Sequence, residues 1–279
     1  PVLTAPAMNV RMWQHAATRR NVAQLRDDGV TVMEPDEGVM ACGEYGPGRL
    51  PEPQAILAAI QSALGGGARK RLADRHILVT AGPTHEPIDP VRYIANRSSG
   101  KQGYAIAGAL AALGARVTLV SGPVALPTPP GVMRVDVETA REMANAVAAA
   151  LPADAAVMVA AVADWYANEA PEKIKKGSGA PRLELSENPD ILQMLGNSPK
   201  RPRLLIGFAA ETNDVIAHAT DKRARKNADW IVANDVSGDV MGGDANSVHI
   251  VTQNGTESWD RLDKQEVARR LADRIADAL

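Results

Sequence analysis

The sequence contains a single cysteine, Cys42, among its 279 residues. No disulfide can therefore form within the chain, and we expect a thiol-reducing, cytoplasmic setting. Aromatic residues make up only 3% of the chain, which disfavours a surface that stacks nucleic-acid bases. The charges nearly cancel, with 31 basic against 33 acidic residues, so neither nucleic acid nor an anionic membrane is an expected partner. The sequence also lacks a run of 18 apolar residues, and no membrane span is predicted.

The composition that remains is typical of a globular chain, with 45% hydrophobic and 23% charged residues. The length predicts about two domains. Residues 62–75 contain three consecutive glycines followed by a basic run, which predicts a linker between domains at residues 1–61 and 76–279. Because the chain begins with Pro1 rather than methionine, we expect it to be part of a longer protein.

From His76 onward, apolar β-branched runs alternate with segments of helical periodicity. This alternation predicts an α/β fold, a doubly wound and Rossmann-like sheet that is mostly parallel. A capping box at Thr139 and Glu142 predicts the start of one helix. The predicted strands are His76–Ala81, Ala115–Ser121, Val132–Val137, Ala155–Ala161, Arg203–Phe208, Trp230–Ala233 and Ser247–Thr252, and the predicted helices are Lys101–Leu113, Thr139–Leu151, Asn213–Asn227 and Lys264–Leu279.

The loop before the first of these helices has the composition of an anion site. Ser98, Ser99 and Gly100 offer hydroxyls and backbone amides at a helix N-terminus. The alternative is that the serines only cap the helix. A Walker A loop is absent because Gly100-Lys101 is followed by glutamine, and the dinucleotide fingerprint G-x-G-x-x-G does not follow the strand.

Lysines and carboxylates follow several of the predicted strands. Asp164 comes after the strand that ends near Ala161, and Lys173 lies in a basic loop beyond it. Lys222 and Lys226 are four residues apart and share a helical face. Such groups suit a triphosphate and its Mg²⁺. The alternatives are a solvated basic turn and a solvated basic helix face, with Asp190 a helix cap or a metal-facing carboxylate and Phe208 a core residue.

Taken in order, these segments resemble one family, the phosphopantothenate–cysteine ligases of the bacterial bifunctional enzymes of coenzyme A biosynthesis. The resemblance covers about residues 76–279. It is carried by Gly82-Pro83-Thr84, Ile88-Asp89-Pro90-Val91-Arg92, Asn96 to Gly100, Ala160-Ala161-Val162-Ala163-Asp164, Lys173-Ile174-Lys175-Lys176, Asn188-Pro189-Asp190 and Gly207-Phe208-Ala209-Ala210-Glu211-Thr212.

The resemblance implies that 4′-phosphopantothenate is activated by CTP and Mg²⁺ to an acyl-cytidylate and then joined to cysteine. It implies catalytic roles for Asn96, which would orient the intermediate, and for Lys173. The implied CTP-binding residues are Met158, Val159, Ala160, Asp164, Lys173, Pro189, Asp190, Ile191, Leu192, Phe208, Lys222 and Lys226, with Ser98, Ser99 and Gly100 as a phosphate-binding loop. The resemblance also implies a homodimer of ligase domains. The competing interpretation is a non-catalytic or redox module of Rossmann type that binds a dinucleotide.

Residues 1–61 resemble the C-terminal part of the flavin-dependent decarboxylase of the same bifunctional enzymes. Two segments carry this resemblance, Ala5-Pro6-Ala7-Met8-Asn9-Val10-Arg11-Met12-Trp13 and Ala41-Cys42-Gly43-Glu44-Tyr45-Gly46-Pro47-Gly48-Arg49-Leu50. It implies that Asn9 binds the decarboxylase substrate and that Cys42 donates a proton. FMN is implied for the full-length protein only, and we expect the present chain by itself to bind no FMN tightly.

Overall fold

The computed structural model describes residues 2–40, 43–65, 70–175, 182–211, 213–235 and 245–279. The chain divides into two compact units, residues 1–69 and residues 70–279, which we call the shorter and the larger unit. In the described part of the chain, no helix combines the length and the apolar character that crossing a membrane requires.

The shorter unit consists of short elements. Its two small sheets pair β1 with β2 in parallel and β3 with β4 in antiparallel orientation. The last helix, α3, continues to Gly65 and so occupies part of the segment predicted as a linker, while residues 66–69 lie outside the described residues. The elements are β1 (Leu3–Thr4), α1 (Val10–Gln14), α2 (Ala16–Asp27), β2 (Thr31–Val32), β3 (Asp36–Val39), β4 (Tyr45–Arg49) and α3 (Pro53–Gly65).

The larger unit alternates strands and helices from His76 to the C-terminal helix. Its elements are β5 (His76–Ala81), β6 (His85–Asp89), β7 (Arg92–Ala95), α4 (Lys101–Ala112), β8 (Arg116–Ser121), β9 (Val132–Asp136), α5 (Ala140–Ala149), β10 (Ala155–Met158), β11 (Trp165–Ala167), β12 (Leu185–Glu187), α6 (Ile191–Gly196), β13 (Leu204–Glu211), α7 (Val215–Arg225), β14 (Trp230–Asp235), β15 (Ala245–Thr252), β16 (Gly255–Asp263) and α8 (Lys264–Ala278).

Eight strands form one sheet in the order β16-β15-β14-β13-β10-β5-β8-β9. The six strands from β14 to β9 run parallel, whereas β15 and β16 are antiparallel. The predicted α/β class and mostly parallel sheet are therefore confirmed. The edge strand β16 and the two hairpins β6–β7 and β11–β12 were not among the predicted elements.

Helices cover both faces of this sheet because successive side chains of the central strands point to opposite sides. Ile77 and Val79 pack with α4 and α8 on one face, and Leu78 packs with α5, α6 and α7 on the other. All six residues of β5 are buried. This two-sided burial explains why the central strands have continuous apolar sequences, and it leaves the strand ends as the places where polar groups can gather.

Candidate functional site

A cleft of about 1690 Å³ opens at the carboxyl ends of β5, β10 and β13. From β5 the chain moves outward through α4 to β8 and β9, and it then returns to β10 on the other side of β5. The ends of β5 and β10 therefore diverge at a topological switch point. Open α/β sheets bind their ligands at such a point.

Two threonine hydroxyls fix the backbone that forms one wall of the cleft. Thr80 Oγ1, at the end of β5, accepts hydrogen bonds from the amides of Val159 at 3.1 Å and Ala160 at 3.2 Å. Thr84 Oγ1 accepts one from the amide of Ala163 at 3.0 Å. Both threonines are almost completely buried. The backbone after β10 is therefore held by β5 and its loop, although the sheet ladder has ended.

The first turn of α4 faces the cleft without a side-chain cap. Its N-cap residue is Gly100, in the left-handed conformation at φ +72°, and this cap makes no side-chain hydrogen bond. Ser98 Oγ accepts only from the amide of Gly100, at 3.3 Å. Ser98 and Ser99 both line the cleft. Backbone amides and the positive end of the helix dipole at such a helix start can bind an anion.

Helix α7 brings two lysines to the opposite side of the cleft. Lys222 Nζ donates to the carbonyl oxygen of Phe208 at 2.9 Å, and Lys226 pairs with the carboxylate of Asp190. Both lysines are half-buried, which is not what a solvated basic face would show. The side chain of Phe208 packs on the core while its residue lines the cleft, so this residue combines both interpretations.

Asp190 caps the short helix α6 through a bond from the amide of Gln193 at 3.0 Å. Partial burial acts to raise the pKa of Asp190, but the hydrogen bonds from Lys226 and Gln193 and the charges of Lys226 and Lys222 together outweigh it, and the net pKa is lowered. The carboxylate of Asp190 is therefore ionised at neutral pH. A polyanion that enters the cleft would compete with Asp190 for the ammonium group of Lys226.

The other residues predicted to contact the nucleotide also line this cleft. They are Met158, Val159, Ala160, Asp164, Pro189, Ile191 and Leu192. Asn96 lines it too, and its amide donates to the carbonyl of Val162 at 2.9 Å. Among the predicted ligase residues, one does not line the cleft: Lys173 has an exposed side chain in a segment that contacts the β6–β7 hairpin. The neighbouring Lys176 lies outside the described residues.

Thr80 and Thr84 were not among the predicted site residues. The signal for Thr80 was available, because it is the one hydroxyl residue among the apolar residues that follow His76 in this central strand. No group of three or more His, Cys, Asp or Glu side chains placed to hold a metal occurs among the described residues.

In the shorter unit, Asn9 lies in a small polar cluster. Its Nδ2 donates to Oε2 of Glu44 at 2.7 Å, and Glu44 also pairs with Arg11 at 2.9 Å. The side-chain oxygen of Asn9 accepts from the amide of Arg11 at 2.8 Å and caps α1. Cys42, predicted as the proton donor, lies outside the described residues.

Comparison with known proteins matches both units. Residues 72–279 match the model of the family described as DNA/pantothenate metabolism flavoprotein C-terminal domain, and residues 1–65 match the model of the flavoprotein family. The chain is 45% identical over 282 residues to the coenzyme A biosynthesis bifunctional protein CoaBC of Escherichia coli (strain K12), with 99% of this chain and 69% of that protein covered. The protein of the same name from Bacillus subtilis (strain 168) is 45% identical over 260 residues, covering 91% and 64%.

Two solved structures resemble the larger unit. The crystal structure of the C-terminal domain of a CoaBC protein is 42% identical, with a TM-score of 0.65, and the match covers 75% of this chain and 97% of that one. The DNA/pantothenate metabolism flavoprotein from Streptococcus pneumoniae shares the fold at 23% identity and a TM-score of 0.65, covering 74% and 100%.

Proposed function

The chain belongs to the family of the coenzyme A biosynthesis bifunctional proteins CoaBC, and on that premise we propose that its larger unit joins 4′-phosphopantothenate to cysteine at the expense of CTP. The family combines ligase and decarboxylase functions in coenzyme A biosynthesis. The observation that carries the proposal is the cleft at the switch point, where a fixed backbone wall, the uncapped start of α4 and the lysines of α7 face the same space.

The chemical demand on this cleft is to bring one anion to another. The substrate carboxylate attacks the α-phosphorus of CTP, a mixed anhydride with CMP forms, and pyrophosphate leaves. The amine of cysteine then attacks the acyl carbon, the amide bond forms, and CMP leaves. Fixed positive groups are needed where negative charges meet. The α4 amides and the lysines of α7 supply them from opposite sides, because α4 packs on one face of the sheet and α7 on the other.

The backbone at residues 158–163 is suited to hold the nucleoside. The hydroxyls of Thr80 and Thr84 occupy three of its amides, so the remaining backbone groups are held in fixed directions. Asn96 is tied to the same segment through Val162. We infer that the cytidine lies along this wall and that Asn96 orients the acyl-phosphate of the intermediate. Lys173 acts on the phosphates from its loop.

Mg²⁺ would enter with the triphosphate and screen its charge. A triphosphate-bound Mg²⁺ needs only one or two protein carboxylates. Asp164 and Asp221, both of which line the cleft, fit that donor set. Asp190 fits less well because Lys226 occupies its carboxylate.

The family also implies FMN for the full-length protein. Doubly wound domains bind such cofactors at the carboxyl ends of an extended parallel sheet. The described residues of the shorter unit form only the two-stranded sheets β1–β2 and β3–β4. They do not fit a flavin by themselves.

The apolar surface of the two hairpins supports a homodimer of larger units. Val91 and Tyr93 on the β6–β7 hairpin, and Trp165 and Leu185 on β11–β12, are each about half exposed. The hairpins contact each other through β6 and β11. Large apolar side chains that cluster on a surface mark interaction sites. The dimer would act in the cytoplasm, in keeping with the single cysteine.

The decisive experiment measures pyrophosphate release by the purified chain with CTP, Mg²⁺ and 4′-phosphopantothenate, and identifies the acyl-cytidylate by mass spectrometry. Adding cysteine should convert it to 4′-phosphopantothenoylcysteine and CMP. Lys222→Gln should slow pyrophosphate release, whereas Lys200→Gln, at an exposed lysine outside the cleft, should not. If the wild-type chain releases no pyrophosphate from CTP, or releases it equally well from ATP, the proposal of a CTP-dependent ligase is wrong.

A further inference from the structure

The segment that carries Lys173 is fastened to the β6–β7 hairpin at two points. The amide of Ala170 donates to the carbonyl of Ile88 at 2.9 Å. Four residues later, the amide of Ile174 donates to Oδ2 of Asp89 at 3.1 Å, and the carbonyl of Ile174 accepts from Nη2 of Arg92 at 2.9 Å. Both backbone polar groups of Ile174 are therefore bound by one acid–base pair that lies more than 80 residues away in the chain.

Asp89 makes more hydrogen bonds than the hairpin turn requires. Its Oδ1 accepts from the amides of Val91 and Arg92 at 2.9 Å each, which shapes the turn. Its Oδ2 accepts from Nε of Arg92 at 3.0 Å, from Nη2 of Arg92 and from the amide of Ile174. The Asp89 side chain is completely buried, and the guanidinium of Arg92 holds its pKa far below the usual range. The buried carboxylate therefore stays ionised, and the hydrogen bond that it accepts from Ile174 connects the hairpin to the Lys173 segment.

The position of this anchor connects the two groups that act on the intermediate in the proposed function. Lys173 directly precedes Ile174, and within the described residues its side chain has no ion pair. Strand β7 runs from Arg92 to Ala95, and Asn96 follows it. At about 3.3 Å per residue, the strand separates Arg92 from Asn96 by roughly 13 Å. The Lys173 segment is therefore bound at the start of strand β7, and Asn96 directly follows the end of the same strand.

We propose that Asp89 and Arg92 are positioning residues for the ligase reaction. They hold the backbone N–H and C=O groups of Ile174 and thereby set the distance between Lys173 and Asn96. This inference rests on the proposed function of the cleft. Neither residue touches the reacting atoms in this role, and each acts through Lys173. A group held in place by buried charge can be displaced by about 1 Å when its anchor is weakened, which is enough to slow a reaction by about 100-fold.

The test is a double-mutant cycle on the rate of acyl-cytidylate formation, followed as the pre-steady-state burst of pyrophosphate. Asp89→Asn keeps the shape of the side chain but turns an amide group toward the donors of Arg92. We expect it to lower the burst rate about tenfold or more in the wild-type background. In a Lys173→Gln background the same substitution should change the rate by less than about twofold, because the group through which Asp89 acts is gone. Arg92→Lys should behave in the same way.

Asp136→Asn provides a matched control, since Asp136 pairs with Arg134 at 2.6 Å on the edge strand β9, outside the cleft. It should leave the burst unchanged. Trypsin gives a second measurement: cleavage after Lys173 and Lys175 should be faster in Asp89→Asn than in the wild type and the control. Equal losses from Asp89→Asn in both backgrounds would show a purely structural role and overturn the inference. So would unchanged tryptic cleavage. A wild-type chain without pyrophosphate release would instead refute the proposed function, and this inference with it.

Discussion

Replacing Thr80 by valine tests whether the hydroxyl at the end of β5 holds the backbone wall of the cleft. Valine has nearly the same shape, so the substitution opens no cavity and removes only the acceptor of the bonds from Val159 and Ala160. A buried donor left without a partner costs about 1–3 kcal/mol. Both amides are half-buried beside the cleft, where water can replace part of the loss. We therefore expect the larger unit to lose about 2 kcal/mol of unfolding free energy in total.

This loss can be measured by urea unfolding followed through tryptophan fluorescence, because three of the four tryptophans belong to the larger unit. The wall should also become less well ordered, and the KM for CTP should rise. Thr80→Ser keeps the oxygen and removes only a methyl group, so it should retain most of the stability and the KM. If Thr80→Val unfolds within about 0.5 kcal/mol of the wild type, and its KM is unchanged, the hydroxyl does not hold the wall as we reason.

Further predictions concern the reaction, the packing of α4 and the response to acid. Lys173→Gln should slow formation of the acyl-cytidylate. Asn96→Asp should instead slow the reaction of the acyl-cytidylate with cysteine, because it places a negative charge near the phosphate of the intermediate. Quenched-flow analysis separates the two steps, and near-wild-type rates in both variants would refute the assignments. Gly103→Ala would put a Cβ 2.6 Å from the nearest side-chain atom of β5, so we expect a loss of about 1–3 kcal/mol from overpacking and weaker CTP binding. In Gly108→Ala the new Cβ would meet only a proline ring at 3.3 Å, so equal calorimetric losses in both variants would contradict this reasoning. The hydrogen bonds from Arg269 and Arg270 lower the pKa of Glu266 to about 2 from 4.5. The contribution of Glu266 to stability is therefore present above about pH 4.5 and is lost as the pH falls toward 2. Glu266→Gln should reduce the pH dependence of the unfolding free energy over that window, and an unchanged pH dependence would contradict this prediction.

The regular part of the larger unit could be predicted because its elements follow from local patterns. The buried strands have continuous β-branched and apolar sequences, and the helix after Thr139 begins with a capping box in which Thr139 accepts from the amide of Glu142 at 3.2 Å and the Glu142 carboxylate accepts from the amide of Thr139 at 3.3 Å. Only the ends differ. The fourth predicted strand was extended to Ala161, but β10 ends at Met158 because the next two amides bond to Thr80 instead of a neighbouring strand.

The two hairpins could not be read from the sequence. The strand β6 contains Pro87 and Asp89 and lacks the alternation of a half-buried strand, so its segment has the composition of a loop. What stabilises it is not local: Glu86 is buried and accepts from the amide of Ala140 at 2.9 Å, and the carboxylate of Asp89 binds Ile174. Contacts across 50 to 85 residues leave no periodic signal in the chain.

Most of the residues predicted for the ligase site line one cleft, but the pairings between their side chains were not predicted. The motifs of the resemblance identify the segments that line the cleft, and the structure brings most of them together. The pairing of Lys226 with Asp190, 36 residues apart, depends on how α6 and α7 pack on the same face of the sheet. The uncapped start of α4 likewise depends on a backbone angle at Gly100 that several glycine-containing loops could adopt.

The switch point between β5 and β10 has a consequence for the order in which the protein matures. The walls of the cleft come from the ends of β5, β10 and β13, which the chain reaches near residues 81, 158 and 208. β10 contributes only after the excursion through β8 and β9 has been completed. A nascent chain that stops before β10 has only three of the eight strands of the sheet, β5, β8 and β9, and still lacks two of the three strand ends that form the cleft. The chain should thus bind a nucleotide only late in its synthesis, once all three strand ends are in place. A nucleotide at 100 times its dissociation constant should stabilise the complete larger unit by about 2.7 kcal/mol, and it should not stabilise shorter nascent chains.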